Sequence, residues 1–138
     1  MRIISGKYKG RHFDIPRNFK ARPTTDFAKE NLFNILCNII DFDERSALDL
    51  FSGTGSISLE LLSRGCNEVV SVEMDSLHFS FLKKCQQTLN DNSWRIVRDD
   101  VFRFLKRCNR RFDIVFADPP YALKTLGEIP DIVLNSNL

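Results

Sequence analysis

Asp118, Pro119, Pro120 and Tyr121 are the stretch of this chain best equipped for chemistry. They follow an apolar run, Phe112-Asp113-Ile114-Val115-Phe116-Ala117, that reads as a buried strand. Two successive prolines cannot continue a strand or enter a helix interior, so they force a stiff, extended turn. The turn presents a carboxylate, the Pro119 carbonyl and a phenol ring, a set suited to holding a planar amine. In open α/β sheets ligands bind outside the carboxyl ends of the strands, where such a turn would sit.

Three other acids punctuate the chain in the same way. Asp49 precedes a loop, Phe51-Ser52-Gly53-Thr54-Gly55, that follows one strand and opens a helix. Gly53 and Gly55 let the backbone approach a ligand closely. The pattern is Gly-x-Gly-x-x-Ser, without the third glycine of the dinucleotide fingerprint, so a pyrophosphate cradle is not favoured. Asp49 would repel a phosphate and suits a cationic group such as an amino-acid ammonium. Glu73 ends the next strand, and an ionised carboxylate there can accept both hydroxyls of a ribose; alone, it is equally a surface acid. Asp100 could accept from an adenine amino group with Val101 as an apolar wall, and is equally a helix N-cap.

The pattern between these residues supplies the elements that must position them. Ala47–Phe51, Glu68–Val72, Trp94–Arg98 and Phe112–Ala117 read as strands. Helices over Ser56–Arg64 (stopped by Gly65), Ser76–Asn90 and Val101–Cys108 separate them. Alternation of this kind predicts an α/β fold with a parallel, doubly wound sheet and right-handed crossovers. Upstream, residues 2–4 and 11–15 read as two short strands around a glycine-bounded turn. Thr25 or Asp26 would cap a helix carrying Phe27, Leu32, Phe33, Leu36, Ile39 and Ile40 at helical spacing. Pro130 would begin a last helix through Leu134. The expected division is a basic arm and connector over 1–25 and one domain over 26–138. A sheet ending at the fourth strand would leave that strand as an edge, so the expected form is truncated before its last strands.

With 138 residues and 43% apolar content the chain supports one soluble domain with a core. It has no run of about 18 apolar residues and no secretion-signal core at its start. Cys37, Cys66, Cys85 and Cys108 are widely spaced, which predicts reduced, buried thiols in a cytoplasmic protein. His12 and His78 are far apart, so no metal site is expected. The net charge is +2, yet residues 1–30 carry eight basic and three acidic side chains. A basic arm on a slightly acidic body points to an anionic polymer as partner.

Glycine loop, ribose acid, adenine acid and Asp-Pro-Pro-Tyr turn, in that order, resemble the S-adenosylmethionine-dependent methyltransferases of exocyclic amines, with a Rossmann-like fold. Arg2-Ile3-Ile4-Ser5-Gly6-Lys7-Tyr8-Lys9-Gly10-Arg11, Arg22-Pro23-Thr24-Thr25-Asp26 and Leu32-Phe33-Asn34-Ile35-Leu36 narrow the likeness. Together with Leu62-Ser63-Arg64-Gly65 and Val72-Glu73-Met74-Asp75, they resemble the small-subunit (16S) ribosomal RNA guanine-N2 methyltransferases of the guanine-966 type. The resemblance implies methyl transfer from S-adenosylmethionine to a guanine N2 of 16S ribosomal RNA, free or within the assembling small subunit. It implies cofactor binding by Asp49, Phe51, Gly53, Gly55, Glu73, Asp100 and Val101. Catalysis would fall to Asp118, Pro119 and Tyr121, and RNA contacts to Arg2, Lys7, Lys9, Arg11 and Arg22. A cytoplasmic monomer is expected unless the sheet edge pairs. The same turn would serve a DNA adenine-N6 or cytosine-N4 methyltransferase. A non-catalytic RNA-binding module would keep the arm and lose cofactor affinity, and a dinucleotide oxidoreductase would have no use for the Asp-Pro-Pro-Tyr turn.

Overall fold

Strands joined only through helices must run parallel, and the four strands of this protein do. The computed structural model describes residues 1–20 and 24–119. Its elements are α1 (Asp26–Leu36), β1 (Ser46–Leu50), α2 (Ser56–Ser63), β2 (Glu68–Glu73), α3 (Ser76–Leu89), β3 (Trp94–Arg98), α4 (Val101–Arg107) and β4 (Ile114–Ala117). The sheet order is β3-β2-β1-β4. The chain therefore steps outward from β1 to β3, then returns to the other side of β1. Its direction reverses between β1 and β4, the topological switch point of a doubly wound sheet.

Alternation along β1 sends its residues to two cores. Ala47 packs with Val69, Ile96, Trp94 and residues of α2 and α3, such as Leu59 and Leu82. Leu48 and Leu50 pack on the opposite face with Val70, Val72, and Val101 and Leu105 of α4. Each large apolar side chain buried this way contributes about 1.5–3 kcal/mol. The helices start where side chains can satisfy their free N–H groups. Thr25 Oγ1 accepts from Ala28 N at 3.1 Å, and Asp75 Oδ1 accepts from Leu77 N and His78 N at 2.9 and 3.1 Å.

Several expectations need correction. The N-terminal strands reduce to one antiparallel bridge, Arg2 with His12. The reason is competition for the backbone: Ile4 N and Ser5 N donate to the Glu60 carboxylate at 2.9 and 3.0 Å instead of to a partner strand. Gly6 then passes so close to α2 that a Cβ would lie 2.0 Å from the Ser63 carbonyl oxygen, at φ +91°. α1 ends at Leu36, leaving Ile39 and Ile40 in the following turn, and Phe27 and Ile39 are exposed. Cys66 and Cys85 are buried free thiols, pushed up by that burial to about 11 and 12; Cys37 is exposed and Cys108 only half-buried. β4 is half-buried, since its one described neighbour is β1. The expected helix from Pro130 lies outside the described residues.

Lys29, counted above with the basic arm, is fully buried. Its Nζ donates to the Arg2 carbonyl at 2.5 Å and lies 3.4 Å from Glu60 Oε1. Glu60 Oε2 also accepts from Arg64 Nε at 2.8 Å. One buried carboxylate thus ties α1, α2 and the N-terminal arm together. Burial lowers the Lys29 pKa, against the pull of Glu60.

Candidate functional site

Because all four strands point one way, the residues after them share a rim. Register sets Leu50 beside both Val72 and Ala117, so Glu73 and Asp118 flank the loop that leaves β1. Glu73 is the organising group. Its Oε1 accepts from Gly53 N at 2.7 Å and its Oε2 from Asp75 N at 3.0 Å. A carboxylate offers about four lone-pair positions, so each oxygen keeps capacity for a further donor.

The loop between them is held in a form that ordinary residues resist. Phe51, Gly53 and Gly55 have φ of +57°, +56° and +77°. Gly55 is the N-cap of α2 and has no side chain to cap it. A Cβ there would meet Leu82 Cδ2 at 2.4 Å. Ser56, the first residue of the helix, is buried, and its Oγ has no partner among the described residues. Free N–H groups at a helix start, an orphaned hydroxyl and a half-satisfied carboxylate form a donor and acceptor set for a polar ligand.

Asp49 stands beneath this loop and is 2% exposed. Ser58 Oγ donates to its Oδ2 at 2.5 Å. Ser58 lies 2.6 Å from Ser71 Oγ, which accepts from Trp94 Nε1 at 2.8 Å. While Asp49 is ionised and Ser58 donates to it, Ser71 donates to Ser58, and the protons run one way from Trp94 to the carboxylate. Burial pushes the Asp49 pKa up to about 7; hydrogen bonds from Ser58 oppose this, and the charges of Glu73 and Asp118 add to it. Near pH 7 Asp49 is divided between its charged and neutral forms, so the full anion expected there is tempered.

Asp118 is exposed, one residue past β4, and Pro119 is half-buried beside it. Asp100 caps α4, accepting from Arg103 N at 3.1 Å, and Asp99 N donates to the Glu73 carbonyl at 3.2 Å. The third strand end therefore adjoins the second. Val101, the first residue of α4, is buried in the core that α4 shares with β1 and β2. Phe51 packs against the same core and remains half-buried. Tyr121 and Arg22 lie outside the described residues.

The arm is less free than its charge implied. Arg2 lies 3.5 Å from Asp26, and Lys7 lies 3.1 Å from Asp91. Tyr8 donates to the same Asp91 oxygen at 2.5 Å, and burial with that contact raises its pKa to about 12. Lys9 and Arg11 are exposed with no ion pair among the described residues. Sequence reasoning missed Ser58, Ser71, Trp94, Glu60 and His78. Polar residues within apolar runs, Ser71 in Val69-Val70-Ser71-Val72 and Glu60 in Leu59-Glu60-Leu61, were the available signal. His78 Nδ1 stands 3.6 Å from Glu73 Oε2, under the ring of Phe19 at 4.3 Å between centroids.

A hollow of about 520 Å³ lies elsewhere, lined by Cys37, Ile40, Phe42 and Arg64 among others. These residues precede β1 or end α2, so it opens at the end of the sheet away from the rim and its carboxylates. Among the described residues no cluster of His, Cys, Asp and Glu could hold a metal ion, and no helix is long and apolar enough to cross a membrane. The donor and acceptor set of the rim fits S-adenosylmethionine: Glu73 keeps acceptor capacity for a diol, and the Ser56 hydroxyl and the glycine loop stand beside it for polar groups of the ligand.

The family profile described as Conserved hypothetical protein 95 matches residues 1–138. Ribosomal RNA small subunit methyltransferase D of Buchnera aphidicola (Baizongia pistaciae) is 32% identical over 137 residues, covering 99% of this chain and 69% of that protein. The protein of the same name from Escherichia coli K12 is 37% identical over 128 residues, covering 93% and 64%. The solved structure of yhhF from Escherichia coli superposes with a TM-score of 0.87 at 34% identity, covering 99% of this chain and 75% of that one. The chain thus spans 64% to 69% of the length of these two curated relatives.

Proposed function

The chain belongs to the family of Ribosomal RNA small subunit methyltransferase D, described as Conserved hypothetical protein 95, and from that premise we propose that it methylates the exocyclic N2 amine of a guanine in 16S ribosomal RNA, with S-adenosylmethionine as donor. One observation supports this reading beyond the family: Glu73 at the end of β2 holds the glycine loop after β1 through Gly53 N at 2.7 Å, and the register of β4 beside β1 sets Asp118 on the other side of that loop. When bound, the cofactor supplies a methyl group already activated on a sulfonium.

The work left to the protein is placement. Glu73 binds the ribose hydroxyls while its Gly53 contact keeps the loop shaped around the ligand. Guanine N2 is a poor nucleophile because its lone pair is delocalised into the ring. Asp118 and the Pro119 carbonyl accept its two N–H bonds, turning the lone pair toward the methyl, with reacting atoms at about 3–3.5 Å. Asp118 then takes the proton released as the new bond forms. Tyr121 stacks on the base, an interaction worth about 1–3 kcal/mol. A paired guanine hides its N2 amine, so the substrate base is a loop base or one turned out of its helix. Lys9, Arg11 and Arg22 hold phosphates around it. Such a substrate implies work in the cytoplasm, on free RNA or the assembling subunit.

Mapping tritiated methyl incorporation onto 16S ribosomal RNA tests the reaction, and Asp118→Ala tests its centre. The variant is expected to lose at least about 100-fold in methyl transfer while binding S-adenosylhomocysteine as the parent does. Equal loss of both in calorimetry would contradict the assigned role.

A further inference from the structure

The basic arm is not the densest concentration of positive charge. Residues 94–111 carry seven arginines and lysines and two acids. Both acids are committed: Asp99 pairs with Arg107, and Asp100 caps α4. We propose that the outer face of α4, with Arg95 and Arg111, is a second phosphate-binding surface for the substrate RNA, on the face of the sheet opposite the arm.

Helix geometry produces the patch. Val101 and Leu105 bury one side of α4 with Phe104 and Cys108 packed beside them, so Arg103, Lys106 and Arg107 must share the other. All three are exposed, as are Arg95 and Arg111. Arg95 stands two residues before Val97, which packs against the α4 core, so it lies on the same face.

A merely solvated helix face would be built differently. Arg103 with Lys106 and Arg103 with Arg107 are like-charge pairs at i,i+3 and i,i+4, spacings at which repulsion destabilises a helix. The helix dipole favours Lys106 and Arg107 in the last turn. It disfavours Arg103, which stands in the first turn where an acid would be stabilising. Among the described residues Arg103, Lys106 and Arg111 have no ion pair. Local stability is given up for a row of unneutralised cations, which a polyanion would offset.

The position also fits. α4 begins beside Asp100 on the candidate rim and leads away from it. The arm packs on α2, across the sheet from α4. An RNA whose target base enters at the rim would meet the arm on one side and α4 on the other. A structured RNA with backbone on both sides suits two such surfaces better than a short single strand.

The inference rests on the proposed reading, and its test keeps the two apart. Arg103→Gln, Lys106→Gln and Arg111→Gln are combined in the full chain, sparing the paired Arg107 and Arg110. S-adenosylhomocysteine affinity and naked 16S ribosomal RNA affinity are measured, the latter across salt concentrations. The cofactor product should bind unchanged while RNA affinity drops, with the slope of log K against log salt shallower by about 2, at roughly 0.7 per lost phosphate contact. An unchanged slope and affinity, with the parent binding RNA normally, would overturn the inference and leave the proposed function standing. A parent that binds neither naked 16S ribosomal RNA nor the assembled small subunit would overturn both. If binding to the assembled subunit weakens with no change in its salt slope, the contact is not to phosphate and the RNA assignment is wrong. Should the triple variant misfold, Lys106→Gln and Arg111→Gln singly must each reduce the slope by about 0.7.

Discussion

The carboxylate of Glu73 accepts the backbone N–H of Gly53 across 2.7 Å, so the acid that ends β2 also shapes the loop that follows β1. The two residues are twenty apart in the chain and belong to neighbouring strands. Ligand binding and loop geometry are therefore coupled through one side chain.

Glu73→Gln separates those roles. Glutamine keeps one acceptor oxygen and puts an NH₂ where the other stood, so either Gly53 N or Asp75 N must face a donor. Leaving one such group unsatisfied costs about 1–3 kcal/mol. S-adenosylhomocysteine affinity should fall at least about tenfold, the equivalent of 1.4 kcal/mol, with a lower melting temperature. Retained affinity in calorimetry would place the ribose elsewhere.

Asp49 makes a prediction about pH. Its pKa is about 7 in the folded protein against an ordinary 3.8, with burial the main cause. The folded state then binds the proton more tightly than the unfolded chain. Stability contributed by this group is present below about pH 4 and is lost as pH rises to about 7, after which the loss is constant. The full effect is at most about 4 kcal/mol. Asp49→Asn removes the titration, so the variant should gain on the parent between pH 5 and pH 8 in urea unfolding. A stability difference independent of pH would mean that Asp49 is ionised throughout.

The doubly wound sheet was legible because each strand is a short apolar run bounded by turn residues and each helix repeats at 3.6. Trp94–Arg98 was read to the residue, and the other strand ends differ by at most two. Local signals of that kind need no knowledge of the neighbours. The arm was misread for the opposite reason. Residues 2–4 alternate like a strand and Ile3 N does pair with the Arg11 carbonyl, but the amides of Ile4 and Ser5 go to Glu60, more than fifty residues away. The role of Lys29 was hidden in the same way, because a lysine near other basic residues reads as surface until its carboxylate is found.

Glu60 therefore carries the last prediction. It is fully buried on α2, lies 3.4 Å from buried Lys29, and accepts from Ile4 N, Ser5 N and Arg64 Nε. Glu60→Ala strips every one of those donors of its acceptor and leaves an ammonium in the core. Breaking a buried pair on one side costs about 3–5 kcal/mol, mostly from the stranded charge. Lys29→Met added to Glu60→Ala removes that charge, so the double variant should recover a large part of the loss. The arm should still loosen at Ile4 and Ser5, which have lost their acceptor, and hydrogen exchange at their amides should rise in both variants. A double variant no more stable than Glu60→Ala alone would show that the stranded charge is not the main cost.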